Sequence, residues 1–92
     1  MEKRIKAGVY KQMQKFADLT IVMILKGNMM RAKKCIDIAE ILLLKGNDQT
    51  KNAIINVYLY SVSTVLELHH YNVQKLLSRN LRAEYIRQTN TF

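Results

Sequence analysis

Glu67, His69 and His70 stand within four positions of one another, and carboxylate with imidazole is the combination that holds a transition metal or moves a proton. Their spacing argues against the metal. Adjacent histidines on a helix point about 100° apart, so they cannot share an ion as an i, i+4 pair does. Histidines in the last turn of a helix also have a plainer role, because partial positive charge suits its carbonyl end. Cys35 is the chain's one cysteine, so no disulfide can form within a chain and no cysteine-based zinc cluster can assemble. A reducing cytoplasm is the expected compartment. Ala32, Ile36 and Ala39 place Cys35 on an apolar helix face, as a small buried hydrophobe rather than an activated thiolate. Asp37 and Glu40 lie three residues apart, a spacing at which two carboxylates can share acid–base work, but lysines surround them as on a solvated face. No phosphate-cradling glycine loop and no nucleophile elbow occur. The residues therefore point away from an enzyme, and no catalytic residue, cofactor or metal is expected.

Helices must position all of these side chains. The 92 residues include no proline and three glycines, so breakers are few and long helices are favoured over strands. Apolar residues at 49% and charged residues at 24% exclude wholesale disorder, and the length suits a single domain with a thin core. Two short signals, Lys26-Gly27-Asn28 and Lys45-Gly46-Asn47, cut the chain nineteen residues apart. Each reads as helix, stop, helix: Gly accepts a left-handed C-cap, Lys suits the negative end of the dipole, and Asn28 or Asn47 (or Asp48) caps the next helix. The echo does not match the repeat lengths of tetratricopeptide or armadillo-type arrays and is reused turn chemistry. Turns this short make successive helices antiparallel. The expected fold is all-α, an up-down bundle of about four helices near 2–26, 29–45, 48–68 and 73–88.

Along the first helix, Ile5, Val9, Met13, Phe16, Leu19 and Met23 form the expected inward stripe, and along the second Ala32, Cys35, Ile36, Ala39, Leu42 and Leu43 do so. The turn Ile41 to Leu44 is apolar nearly all round and needs cover from more than one side. The third helix is the least ordinary. At 100° per residue, Asn52, Asn56, Ser63 and Glu67 share a narrow stripe with Leu59, and the rest of the circumference is apolar. Such a helix suits the centre of a bundle or a subunit interface. Its Val, Ile, Tyr and Thr content also has strand propensity, but its capping signals and length argue for helix. His69 to Asn72 breaks the chain. A fourth helix carries Val73, Leu76, Leu77, Leu81, Tyr85 and Ile86 inward, with an interruption near Ser78 to Asn80. The end, Thr89 to Phe92, frays unless Phe92 docks.

Fifteen Lys and Arg against seven Asp and Glu give a formal +8, and residues 1–47 hold ten of these cations and four of the acids. Lys3, Arg4, Lys6, Lys11, Lys15, Arg31, Lys33 and Lys34 form the surface that nucleic acid would use, since phosphate attraction needs only clustered positive charge. A solvated basic face is the plainer account. A helix-turn-helix reader is disfavoured, because Ile54 to Leu68 is too apolar to lie in a groove. The longest unbroken apolar run, Ile21 to Leu25, is far short of a membrane span, and the polar run Tyr10 to Lys15 stands where a signal peptide needs an apolar core.

Gly46-Asn47, the run Lys51-Asn52-Ala53-Ile54-Ile55-Asn56-Val57 with Tyr60-Ser61, and Leu81-Arg82-Ala83-Glu84-Tyr85-Ile86-Arg87-Gln88 together resemble small bacterial all-helical proteins of unknown function. Gly27-Asn28 with Ala32 to Ala39 fits the same pattern, and the resemblance spans Leu19 to Asn90. It implies a bacterial helical bundle and brings no catalytic residues. The expected function is a helical protein-interaction module, homo-oligomeric or bound to another protein. Its contact lies on the third helix at Asn52, Asn56, Leu59, Tyr60 and Ser63, where Leu59 and Tyr60 would be exposed apolar groups if the stripe faces water and Asn56 would orient a partner chain if buried. A basic nucleic-acid-binding domain is the alternative.

Overall fold

The computed structural model describes residues 2–89, with side chains from residue 8 onward. Its first helix, α1 (Glu2–Leu25), stops because Gly27 turns left-handed at φ 77°. The Gly27 amide donates to the Ile24 carbonyl at 3.0 Å and the Asn28 amide to Met23 at 2.8 Å, the paired closure that satisfies a helix's last carbonyls. The Asn28 side chain then accepts from the Arg31 amide at 3.3 Å and opens α2 (Met29–Lys45).

The second glycine turn works differently. Gly46 is extended (φ −74°, ψ 164°), so no left-handed residue is used. Glycine is required there by proximity, since a Cβ would stand 2.5 Å from the Leu42 carbonyl oxygen and 2.7 Å from the Thr50 methyl. The chain steps straight into Asn47, which accepts from the Thr50 amide at 2.9 Å and is the cap of the third rod, while Asp48 sits in its first turn at the positive end of the dipole.

That rod spans the expected residues but is not a regular helix. It runs as α3 (Asp48–Ala53), a π-helical segment (Ile54–Leu59) and α4 (Tyr60–Leu68). A strict four-residue apolar repeat drifts about 40° per step on an α-helix. Wider π turns take up that drift. Ile54, Tyr58, Val62 and Leu66 accordingly remain buried along the whole rod. The same change of phase turns Leu59 and Ser63 inward, at 0% and 6% exposure, and corrects the single polar stripe expected from a constant 100° step.

At the end of α4, His70 occupies the left-handed region (φ 62°), with its amide donating to Glu67 and the Tyr71 amide to Leu66. This repeats the Gly27 closure without a glycine. Asn72 caps α5 (Val73–Leu76) by accepting from the Lys75 amide at 3.2 Å. The expected interruption comes at Leu77 and Ser78, before α6 (Arg79–Thr89).

Helix α1 lies against both α2 and the rod, and α6 returns across α2 and the π segment. Ala17, Ala32, Ala39 and Ala53, all fully buried, let the helices approach closely. The buried side chains form one cluster, to which the rod contributes Ala53, Ile54, Tyr58, Leu59, Val62 and Leu66. The rod is thus the central helix of the chain's own bundle, and the described residues are helical without a strand.

Candidate functional site

The carboxylates singled out in the sequence, Asp37, Glu40 and Glu67, are occupied in holding helices together. The Tyr85 hydroxyl donates to Glu67 Oε2 at 2.5 Å, and that bond, which favours the neutral phenol, is the main reason its pKa rises to about 12. His69 and His70 are exposed at the end of α4. Asp37 and Glu40 are not on an idle solvated face, as their lysine neighbours suggest. Glu40 Oε2 accepts from the Asn80 amide at 2.9 Å and from Asn80 Nδ2 at 2.8 Å, Oε1 accepts from the Leu81 amide at 3.0 Å, and Asp37 Oδ1 accepts from Ser78 Oγ at 2.8 Å. A carboxylate from α2 therefore caps α6 across the bundle, where the first amides of a helix lack internal partners. Among the described residues no three His, Cys, Asp or Glu side chains stand together as metal ligands.

The five residues expected to form a contact on the third helix do not share a surface. Asn52, Asn56 and Tyr60 are exposed, whereas Leu59 and Ser63 are buried, with Ser63 Oγ donating to the Tyr60 carbonyl at 3.3 Å. Asn56 faces water, so the reading in which it is partly buried and orients a partner is corrected.

An open apolar face lies elsewhere, and its origin is the rotation of α1. Among the described residues, the side chains this helix buries are Met13, Ala17, Thr20 and Ile24. Thr20 Oγ1 donates to the Phe16 carbonyl at 3.0 Å and meets the Tyr58 hydroxyl at 2.8 Å. With the one threonine proton so directed, Tyr58 donates to Thr20. Burial pushes the Tyr58 pKa upward, and the Phe16 ring stacks on it at 4.9 Å. This latch fixes the turn of α1 about its axis. Phe16, Leu19 and Met23, expected in the core, are swung to its α2 side, and Leu19 is 49% exposed. On α2, Ala32, Ile36, Ala39 and Leu43 are buried, and Cys35, Ile38 and Leu42 face back toward that seam.

Two depressions result between the helices. One, of about 260 Å³, is lined by Gln12, Met13, Phe16, Ile38 and Leu42; the other, of about 320 Å³, is lined by Leu19, Met23, Arg31, Lys34 and Cys35. They succeed one another along the seam of the antiparallel pair. Exposed cations flank it: Arg31 and Lys34 line it directly, Lys15 stands one turn before Leu19, Lys26 one turn after Met23, and Lys45 one turn after Leu42. The described carboxylates of the two helices point elsewhere. Asp37 and Glu40 engage α6, and Asp18, about 100° round α1 from Leu19, accepts from Gln14. Of the cations expected to bind nucleic acid, Lys11 and Lys33 are exposed, and the side chains of Lys3, Arg4 and Lys6 lie outside the described residues, as does Phe92.

One signal could have revealed this groove in the sequence. Ala17, Thr20 and Ile24 keep the same three-to-four spacing as Phe16, Leu19 and Met23, so α1 carries two adjacent stripes, more than one helix contact covers.

A family model described as a domain of unknown function (DUF7674) matches residues 2–91, and the chain belongs to that family. No curated protein and no solved structure matches the chain.

Proposed function

We propose that this member of the DUF7674 family is a helical protein-interaction module whose contact face is the α1–α2 groove. The observation that carries the reading is the open seam of Phe16, Leu19, Met23, Ile38 and Leu42, with Leu19 and Ile38 each about half exposed. Apolar side chains grouped in a concavity and rimmed by polar ones mark surfaces that another molecule covers. The third helix offers less, because most of its apolar side chains are enclosed by the bundle and its exposed ones, Tyr60 and Leu68, stand apart rather than in a concavity.

Affinity capture with the wild-type chain, with an Ile38→Glu variant and with a Tyr60→Ser control tests this. Proteins retained by wild type and the control but lost with Ile38→Glu are expected. Identical retention by all three would end the reading. Circular dichroism melting establishes that Ile38→Glu is folded, as its half-exposed position leads us to expect.

Nucleic-acid binding is the second reading, favoured by the grouping of Lys15, Arg31 and Lys34 about one seam. It leaves the apolar floor unexplained, since phosphate contacts call for cations and donors alone. Retardation of DNA or RNA at low salt that vanishes as salt rises, unaffected by Ile38→Glu, would favour it.

A further inference from the structure

We infer that the α1–α2 groove receives an acidic amphipathic α-helix of another protein, an inference that rests on the interaction-module reading above. Shape, charge and side-chain type each restrict the occupant. From Gln12 to Met23 the α1 wall of the groove is about 17 Å long at 1.5 Å per residue, room for three turns of a helix laying its i, i+3, i+4 and i+7 side chains along the seam. Met13 and Met23, unbranched and polarizable, adapt to such inserted side chains.

Charge then chooses among helices. Lys15 and Lys26 border the groove from α1, and Arg31, Lys34 and Lys45 from α2, all exposed and none ion-paired among the described residues. No carboxylate of either helix joins that border among the described residues. A second copy of this chain docked here by a two-fold axis would bring the same cations against themselves, in a chain of formal charge +8. A helix with glutamates or aspartates on both sides of its apolar stripe instead meets cations on both walls. An anionic membrane shares the charge but not the shape: lipid-binding helices present a convex apolar ridge, and here the apolar side chains floor a concavity between two helices.

The test uses the full chain and a synthetic amphipathic helix of about sixteen residues, with leucines at i, i+3, i+4, i+7 and i+11 and glutamates flanking them, in parallel with the same peptide carrying lysines for glutamates. Fluorescence anisotropy should show the acidic peptide binding at least about tenfold more tightly than the basic one, with affinity falling as salt rises. Leu19→Glu and Ile38→Glu should each weaken it by about tenfold or more. Arg31→Glu combined with Lys34→Glu, both at exposed positions, should reverse the preference toward the basic peptide.

Equal binding of the two peptides, or binding of neither, overturns the inference. If neither binds and the wild-type chain sediments as a dimer that Ile38→Glu dissociates, the occupant is a second copy. If the chain instead floats with phosphatidylserine vesicles and Ile38→Glu abolishes this, the occupant is lipid. The dimer would leave the interaction-module reading standing, the vesicle result would replace it, and indifference of every assay to Leu19→Glu and Ile38→Glu would remove both it and the inference.

Discussion

His70 ends α4 in a backbone conformation that costs a residue with a Cβ about 1–2 kcal/mol, and Gly27 adopts the same conformation at the end of α1 without that cost. The two closures share their hydrogen-bond pattern, so the side chain is the variable. His70→Gly should raise stability by about 1 kcal/mol, less the entropy glycine adds to the unfolded chain, and Gly27→Ala should lower it by about 1 kcal/mol, both read from urea midpoints. Tyrosine ionisation is the second residue-scale consequence. Tyr85 has its pKa raised to about 12 by donating to Glu67, and burial raises that of Tyr58 further. Raised folded-state values mean the fold holds these protons more tightly than the unfolded chain does. The stability they confer is complete below pH 10 and is lost as pH climbs through 12. Absorbance titration of the wild-type chain and of Tyr85→Phe should therefore differ by one phenol that is still largely unionised near pH 11. If the phenol lost in Tyr85→Phe is one that ionises near pH 10, the Tyr85–Glu67 bond is absent in solution.

Among the elements, the ends of α1, α2 and the third rod were legible because the residues that end and cap them are local: Gly27, Asn28, Gly46 and Asn47 act within five positions of their partners. The reason for Gly46 was hidden, since it depends on the close approach of the Leu42 carbonyl and the Thr50 side chain rather than on φ. The π segment was hidden too. The repeat Ile54, Tyr58, Val62, Leu66 is visible in the sequence, but only the packing of α1, α2 and α6 against it gives the wider turn its compensation, and without that turn Leu59 falls on the polar stripe. The partnership of Glu40 with Asn80 and Leu81 spans 40 residues, beyond any periodicity. It gives α6 its start. Glu40→Ala would strip acceptors from two amides and should cost about 2–3 kcal/mol, more than loss of an ordinary cap, because a charged acceptor is removed from a half-buried site. Hydrogen exchange is the direct measurement: α6 amides should lose protection first, with α1 and the rod little changed. Uniform loss across all helices would mean that α6 does not open separately.

For the molecule as a whole, apolar side chains divide into those that hold the fold and those that do not. Leu59, once the rod's phase is corrected, is fully enclosed by the bundle, whereas Leu19, Ile38 and Ile41 remain about half exposed along the α1–α2 hairpin, near its exposed cations. If the groove exists for another molecule, its polar replacement should leave folding nearly untouched. Leu19→Gln, Ile38→Gln and Ile41→Gln are each expected to change stability by no more than about 0.5 kcal/mol, as surface substitutions do. Leu59→Ala, which opens a cavity where no water reaches, should cost about 2–5 kcal/mol. Urea denaturation of the four variants decides between the two roles. Were the three glutamine variants to cost as much as Leu59→Ala, the seam would be part of the core and no surface would be left for a partner. A small cost beside a large one would instead mean that this thin bundle carries apolar groups its own stability does not need, beside the five exposed cations that border the groove.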